Sequence, residues 1–251
     1  MEKGARWIVS AGCATPDRAP EIVRQSIANN VYHLLDNLLL IRPSFRERLR
    51  CEGIQGGEHL NRALAAGKGV ILETGHFYAN RMAERYFAST GYPVLYVRNQ
   101  RPENSESGRL GRCILQPRLL EFRRRASPEV VYIQDPECSL KILRRLRSGG
   151  LVNIQVDGIV GTRAVAGILL GRPWRFPAGI FDLVRHSDCA VVPMLCVGGI
   201  AGFRISFDPA LDFATADSRD EWLASNLPVI VRALEEQIAG HPEEWRLWTH
   251  F

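Results

Sequence analysis

The chain has 251 residues, of which 46% are hydrophobic and 24% are charged. These are ordinary values for a globular protein, and they exclude a disordered chain and a fibrous repeat. The length predicts one domain over residues 1–251, and the formal net charge of +5 favours an anionic partner.

The first predicted elements are helical. A helical segment covers residues 20–50, where apolar residues recur at helical spacing until Pro43 ends the pattern. A shorter helix over residues 58–66 then leads into a strand over residues 69–73. The domain is therefore predicted to open with helices and to enter its sheet at about residue 70.

Strands and helices alternate in the middle of the chain. The predicted order is a helix over 79–89, a strand over 94–97, a helix over 106–125, a strand over 130–133, a helix over 139–147 and a strand over 151–156. This alternation predicts an α/β fold with a mostly parallel sheet that is flanked by helices on both faces. A glycine-rich stretch follows, and then a helix over 178–186, strands over 190–197 and 203–207, and a helix over 220–239.

Much of the positive charge lies in a basic stretch between Arg98 and Arg125. Its candidate partners are a phospholipid surface, an acidic carrier protein, the phosphates of coenzyme A and nucleic acid, and the alternative is a solvated helix face without a partner. The stretch does not alternate basic with aromatic residues, so we do not expect it to bind single-stranded nucleic acid.

The six cysteines show no C-x-x-C spacing, and we expect them to be reduced thiols in a cytoplasmic protein. We find no uninterrupted apolar run of the length that a membrane span needs, so the chain is not expected to cross a membrane. Residues 31–41 are strongly apolar. They are expected either to pack on the core or to lie on a membrane surface.

Polar residues follow three of the predicted strands. His76 lies where a strand ends and a helix begins, Asp157 ends a second strand before Gly158, and Arg98 ends a third. Ligands of open α/β sheets bind at the carboxyl ends of the strands, so these side chains are predicted to share one crevice. The alternatives are a structural histidine and an aspartate that only forms a turn.

Other kinds of site are not indicated. The sequence contains no phosphate-binding G-x-x-x-x-G-K-[ST] loop, no G-x-G-x-x-G at the start of a βαβ unit and no G-x-S-x-G elbow. The histidines are not at metal-binding spacing with cysteines or carboxylates. We therefore expect neither a cofactor nor a metal.

Five segments, taken in their order, carry a family resemblance. They are GGEHLNRALAAGKGVILETGHF at 56–77, YPVLYVRNQRPEN at 92–104, SGGLVNIQVDG at 148–158, LLGRPWRFPAGIFDLVRHSDCAVVPMLCV at 169–197 and HPEEWRLW at 241–248. With them the chain resembles the lysophospholipid acyltransferase superfamily and, within it, the bacterial lipid A biosynthesis (lauroyl/myristoyl) acyltransferase branch. The resemblance covers residues 21–251.

This resemblance implies a glycerolipid-acyltransferase-like fold and an acyl transfer from acyl carrier protein or coenzyme A to a hydroxyl or amine. The acceptor would be a lipid, a sugar or a pathway intermediate. His76 matches the histidine of the H-x-x-x-x-[DE] motif and would act as the general base. The acidic position of that motif is occupied by Arg81.

Another residue must therefore orient the imidazole of His76. Asn80 is close in sequence, and Asp157 or Glu73 could reach across the crevice. Glu84 is eight positions further along a helix, about 12 Å, and is too distant for direct contact. The residues predicted to bind substrate are Arg98, Gly158, Arg81, Arg163 and Gly179.

Two other functions remain open at this point. The chain could be a catalytically altered or inactive member of the fold that binds a lipid or a carrier protein, or it could hydrolyse a thioester. For each of them the expected location is the cytoplasm or the cytoplasmic face of the inner membrane.

Overall fold

The protein is described by a computed structural model over residues 2–39, 50–99, 129–158, 163–199 and 201–249. The predicted helix over residues 106–125 and most of the basic stretch lie outside these residues.

The α-helices of the described residues are α1 (Glu2–Ser10), α2 (Ala19–Leu39), α3 (Gly57–Ala65), α4 (Asn80–Thr90), α5 (Cys138–Arg147), α6 (Ala178–Ser187) and α7 (Arg219–Gly240). Two short 3-10 helices, Pro242–Glu244 and Arg246–Thr249, follow α7.

The strands are β1 (Cys51–Gln55), β2 (Val70–Thr74), β3 (Val94–Arg98), β4 (Val130–Tyr132), β5 (Leu151–Gln155), β6 (Ala164–Leu169), β7 (Arg172–Pro177), β8 (Ala190–Gly199) and β9 (Gly202–Phe207). Seven of them form one sheet in the order β1-β9-β8-β2-β5-β3-β4. Only the β8–β9 pair within it is antiparallel. The prediction of a mostly parallel sheet is confirmed.

Helices cover both faces of this sheet. Alternate residues of β2 point to opposite sides, as the period of a strand requires. Leu72 packs in a cluster with residues of α3 and α4, whereas Ile71 packs in a second cluster with residues of α1, α5, α6 and α7. The arrangement is the predicted α/β fold, with a buried core on either side of the sheet.

The last long helix begins at a capping box. Glu221 N–H donates to Ser218 Oγ over 3.2 Å, and Glu221 Oε2 accepts from Ser218 N–H over 3.3 Å. These bonds satisfy donors that the first turn of a helix leaves unpaired, and they fix the start of α7. The residues that follow α7 bond to the turn that carries His76.

The helix α1, the strand β1, the antiparallel hairpin β6–β7 and the two short 3-10 helices were not predicted. The sequence of β1 is CEGIQ, which lacks an apolar run because the strand lies at an edge of the sheet and is largely exposed. The hairpin turns at Leu170 and Gly171, which both have positive φ. Strands of this kind carry a weak sequence signal, since few of their side chains are buried.

Among the described residues, no helix has both the length and the apolar character that a membrane span requires.

Candidate active site

His76 and Asp157 lie beyond the ends of two neighbouring strands. β2 pairs with β5 in parallel, with Thr74 opposite Gln155, and the N–H of Val156 extends the ladder by donating to the carbonyl of Thr74. The chain leaves both strands at the same edge of the sheet. This register brings the imidazole and the carboxylate together.

The two side chains are in direct contact. Nδ1 of His76 lies 2.6 Å from Oδ1 of Asp157, and the backbone N–H of His76 donates to Oδ2 of the same carboxylate over 2.8 Å. Because Nδ1 faces Asp157, Nε2 is the ring nitrogen left to exchange a proton with a substrate. The side chain of His76 is 28% exposed and that of Asp157 is fully buried, so solvent reaches the imidazole and not its partner.

Asp157 stays ionised despite its position. Burial on its own raises the pKa of a carboxyl group. Here the electrostatic interaction with His76 opposes this effect, together with hydrogen bonds from the ring and backbone of His76 and from Trp245, and the pKa of Asp157 lies below its ordinary value. A buried carboxylate held in this way can orient an imidazole and stabilise its cation.

Gly75 makes the close approach possible. A methyl group on its Cα would lie 3.1 Å from Oδ2 of Asp157 and 2.7 Å from Cδ1 of Leu234. A larger residue at this position would require the end of the Leu234 side chain and the carboxylate of Asp157 to shift, so glycine allows the closest fit between β2 and His76.

The other two candidate orienters have different surroundings. Asn80 donates to the carbonyl of Gly75 over 2.7 Å, and its Oδ1 lies 3.4 Å from the hydroxyl of Thr74, so its amide secures the turn before α4. Glu73 is fully buried, and neither of its carboxyl oxygens has a hydrogen-bond partner among the described residues. Burial, with additional repulsion from Asp157 and Asp208, raises its pKa well above the ordinary value.

Arg98 is the last residue of β3, the strand next to β5, and it is engaged in an ion pair. Its Nη2 lies 2.6 Å from Oε1 of Glu84 on α4, and the two side chains are only 18% and 8% exposed. The pair joins β3 to α4. A contact of Arg98 with substrate stays a prediction.

Arg81 lies in a group of basic side chains around His33 of α2. Burial, together with the nearby charges of Arg81 and Arg246 and against the opposing effect of Glu84, lowers the pKa of His33 to about 3. His33 is therefore neutral, and the charges near it are those of Arg81, Arg246 and Glu84. A role of Arg81 in substrate binding stays a prediction.

The remaining predicted substrate contacts are placed differently. Gly158 lies beside the imidazole, since a methyl group on its Cα would be 3.8 Å from Cε1 of His76 and 3.8 Å from Cγ of Pro177. Gly179 belongs to the first turn of α6, and this helix begins directly after Pro177. The guanidinium of Arg163 is 71% exposed and lies 3.4 Å from Asp182.

One polar contact of the site was missed in the sequence. Trp245 is fully buried, and its Nε1–H donates to Oδ2 of Asp157 over 2.8 Å. The segment HPEEWRLW was recognised only as part of the family resemblance. A tryptophan is usually a core residue, so its presence in this segment does not assign it to a site.

The described residues contain no group of three or more histidine, cysteine, aspartate or glutamate side chains that could hold a metal ion.

Comparisons with known proteins agree with this architecture. The sequence profile of the family described as bacterial lipid A biosynthesis acyltransferase matches residues 18–250. The chain is also 25% identical over 197 residues to phosphatidylinositol mannoside acyltransferase from two strains of Mycobacterium tuberculosis, CDC 1551 / Oshkosh and ATCC 25618 / H37Rv. These matches cover 77% of this chain and 58% of each relative.

Proposed function

Since the chain belongs to the bacterial lipid A biosynthesis acyltransferase family, we propose that it transfers a fatty-acyl group from a thioester to a hydroxyl or amine, with His76 as the general base. The donor would be acyl carrier protein or coenzyme A, used as a substrate without a further cofactor. The acceptor would be a lipid, a sugar or a pathway intermediate. The observation that carries the proposal is the 2.6 Å contact between His76 and Asp157.

The reaction follows from the geometry of this pair. Nε2 of His76 would remove the proton of the acceptor as its oxygen or nitrogen attacks the thioester carbonyl, a contribution of about 10² to 10⁴ in rate. The tetrahedral intermediate would then collapse with loss of the thiolate, which takes the proton back from the imidazolium. Asp157 would stabilise the imidazolium between the two steps.

The oxyanion of the intermediate needs hydrogen-bond donors near His76. Backbone N–H groups at the start of α4 are candidates, since that helix begins four residues after the imidazole. Arg98 is the other candidate from the sequence. Because it is paired with Glu84, it would act on the oxyanion through the position of α4 and not by direct contact.

Substrate binding would use the basic side of the site. Arg81 on α4 faces the group around His33, where an anionic part of the donor or acceptor would be favoured. Gly158 next to the imidazole leaves room for the reacting groups, while Arg163 and Gly179 would contribute at the start of α6. The arginines of the basic stretch would meet the carrier protein or the phosphates of coenzyme A.

Single-turnover transfer tests the proposal. Wild type and His76→Ala are mixed with radiolabelled acyl carrier protein or acyl-coenzyme A and an acceptor pool from a lysate, and the label is followed. His59→Ala, on α3, serves as the matched histidine control. Label that reaches a product with wild type and the control but not with His76→Ala supports the proposal.

The other two functions give different results in the same assay. Release of free fatty acid without an acceptor indicates a thioester hydrolase. Binding of donor or lipid without any turnover indicates a family member that has lost catalysis, and either result overturns acyl transfer.

We further propose that the protein contacts the surface of a membrane through α2. Four large apolar side chains of this helix are between 42% and 61% exposed: Ile27, Val31, Tyr32 and Leu35. A helix with such a face can lie in the lipid interface, where an acyl acceptor with a lipid anchor would be available. The cytoplasmic face of the inner membrane stays the predicted location.

Co-sedimentation with vesicles of phosphatidylethanolamine and phosphatidylglycerol tests this contact. Val31→Glu together with Leu35→Glu should reduce the bound fraction several-fold. Leu140→Glu, at a side chain on α5 that is 45% exposed, should leave it unchanged. An equal loss of vesicle binding in the α2 double variant and in Leu140→Glu would show that α2 is not the membrane contact.

A further inference from the structure

The segment that follows α7 is bonded to the turn that carries His76. Phe77 and Trp245 form an isolated antiparallel bridge. On one side of the bridge the N–H of Arg246 donates to the carbonyl of His76 over 3.0 Å, and on the other the N–H of Tyr78 donates to the carbonyl of Glu244 over 3.1 Å. Residues 244–246 therefore fix the backbone of the turn on both sides of Phe77.

The side chain of Trp245 extends from this segment to the buried carboxylate. Oδ2 of Asp157 accepts from Nε1 of Trp245 and from the backbone N–H of His76, each over 2.8 Å, while Oδ1 faces Nδ1 of His76. The carboxylate is thus held by groups from two separate parts of the chain. Rotation of its plane would break at least one of these bonds.

The indole ring is itself held in place. It lies edge-on to Trp7, with 5.4 Å between ring centroids, and edge-on to Trp248, with 4.7 Å between centroids. Such packing fixes the direction of the Nε1–H bond. The tryptophan cluster therefore supplies a rigid donor at one defined point of the site.

We propose that Trp245 is a positioning residue, whose indole N–H holds Asp157 in the orientation that aligns His76 for proton transfer. The inference rests on the proposed function of His76 as the general base. Trp245 acts through Asp157 and is not required to touch the substrate.

Removal of the indole donor has a chemical consequence besides a loss of packing. The charged or titratable groups that face Asp157 are His76, Glu73 and Arg246. Burial favours the neutral acid, and the hydrogen bond from Trp245 is one of the contacts that keep the pKa of Asp157 below its ordinary value. Without this donor, Asp157 should become protonated at a higher pH than in wild type, and the protonated acid would no longer orient the imidazole of His76.

The test is Trp245→Phe, which keeps an aromatic ring and removes the N–H. We expect kcat to fall about 10- to 100-fold with little change in KM, as for the loss of a hydrogen bond to a charged group. The acid side of the kcat–pH profile should move to higher pH. The carboxyl ¹³C resonance of Asp157 should titrate at higher pH, and the downfield proton resonance of the His76 Nδ1–H should shift.

Trp222→Phe is the matched control. Trp222 of α7 is also buried, at 6% exposure, and its ring packs against Phe213, away from Trp245 and the site. This variant should keep kcat within about twofold and leave both resonances where they are in wild type. Similar effects of the two variants would show that Trp245 contributes packing alone.

A second variant covers a failure of Trp245→Phe to fold. Replacement of Trp245 by 3-benzothienylalanine keeps the bicyclic shape and exchanges the N–H for sulfur, and it should reproduce the resonance and pH shifts. Unchanged resonances in this variant overturn the inference. Because both resonances are observed without substrate, they decide the role of Trp245 even if wild type transfers no acyl group.

Discussion

Asp157 Oδ1 and His76 Nδ1 are 2.6 Å apart in space and 81 positions apart in the chain. Asp157→Asn should keep this geometry and lower kcat by about 10³- to 10⁴-fold. An asparagine can accept from the backbone of His76 and from Trp245 while it directs its NH₂ group at Nδ1, which moves the ring proton to Nε2 and removes the base. Steady-state kinetics with circular dichroism would measure the effect.

Asp188→Asn provides the matched control. Asp188 is 84% exposed at the end of α6 and has a φ of 50°, a conformation that asparagine also adopts. Transfer rates equal to wild type are expected. If Asp157→Asn retained most of its activity, Asp157 could not be the group that orients His76.

Glu73 should make the stability of the protein depend on pH. Its raised pKa means that the folded protein binds a proton that the unfolded chain has released, so stability falls as pH rises from about 4.5 toward the folded pKa. Glu73→Gln replaces the titrating carboxyl group by a neutral amide. We expect the free energy of unfolding of this variant, relative to that of wild type, to rise by up to about 1.4 kcal/mol for each pH unit in this window.

Thermal unfolding between pH 5 and pH 8 would measure this rise. Glu58→Gln, at a side chain on α3 that is 68% exposed, should follow wild type at every pH. A constant difference between Glu73→Gln and wild type across the range would show that Glu73 is ionised in the folded protein.

The buried pair of Glu84 and Arg98 should behave as one unit in a double-mutant cycle. Glu84→Gln or Arg98→Met leaves the other charge buried, which costs about 3–5 kcal/mol. The combined variant removes both charges and should recover part of that loss. Urea unfolding of all four proteins gives the coupling energy.

Kinetics on the same variants separates this structural role from substrate binding. A purely structural Arg98 predicts that Glu84→Gln and Arg98→Met change KM alike. A rise in the acceptor KM for Arg98→Met alone would instead place its guanidinium on the acceptor.

Charge reversal in the basic stretch tests the docking of the acyl donor. Replacement of Arg123, Arg124 and Arg125 by glutamate should raise KM for acyl carrier protein or acyl-coenzyme A and leave the rate at saturating donor nearly unchanged. The effect should shrink as salt is added, since exposed charges are screened.

The control reverses Arg144 and Arg147 on α5, at the end of that helix that leads to the amino end of β5. Donor KM should not respond to this pair. A fall in the saturated rate of the triple variant, with its KM unchanged, would contradict a docking role.

The strand ends at the site could be predicted because β2, β3 and β5 are short apolar runs with polar residues directly after them. The partner of His76 could not. Asn80, Asp157 and Glu73 are all within plausible reach in a linear sequence, and the choice depends on the pairing of Val70 with Leu151 across two strands. Register of this kind is a property of the folded sheet.

The contribution of Trp245 is hidden for a related reason. It lies 88 positions from Asp157, and its N–H is directed by the packing of Trp7 and Trp248 and by the bridge to Phe77. No spacing rule connects these residues. Likewise, the sequence shows Arg98 at a strand end but not the carboxylate of Glu84 that faces it.

The bonds between residues 244–246 and the His76 turn also bear on the time at which the site is completed. During synthesis the turn leaves the ribosome well before the segment that holds it. A nascent chain that already contains β2, β5 and α4 still lacks the indole donor and the two flanking backbone bonds until residue 246 has emerged. The contacts that hold His76 and Asp157 together are thereby completed only once residues 244–246 have been synthesised, although these residues lie far from β2 and β5 in the chain.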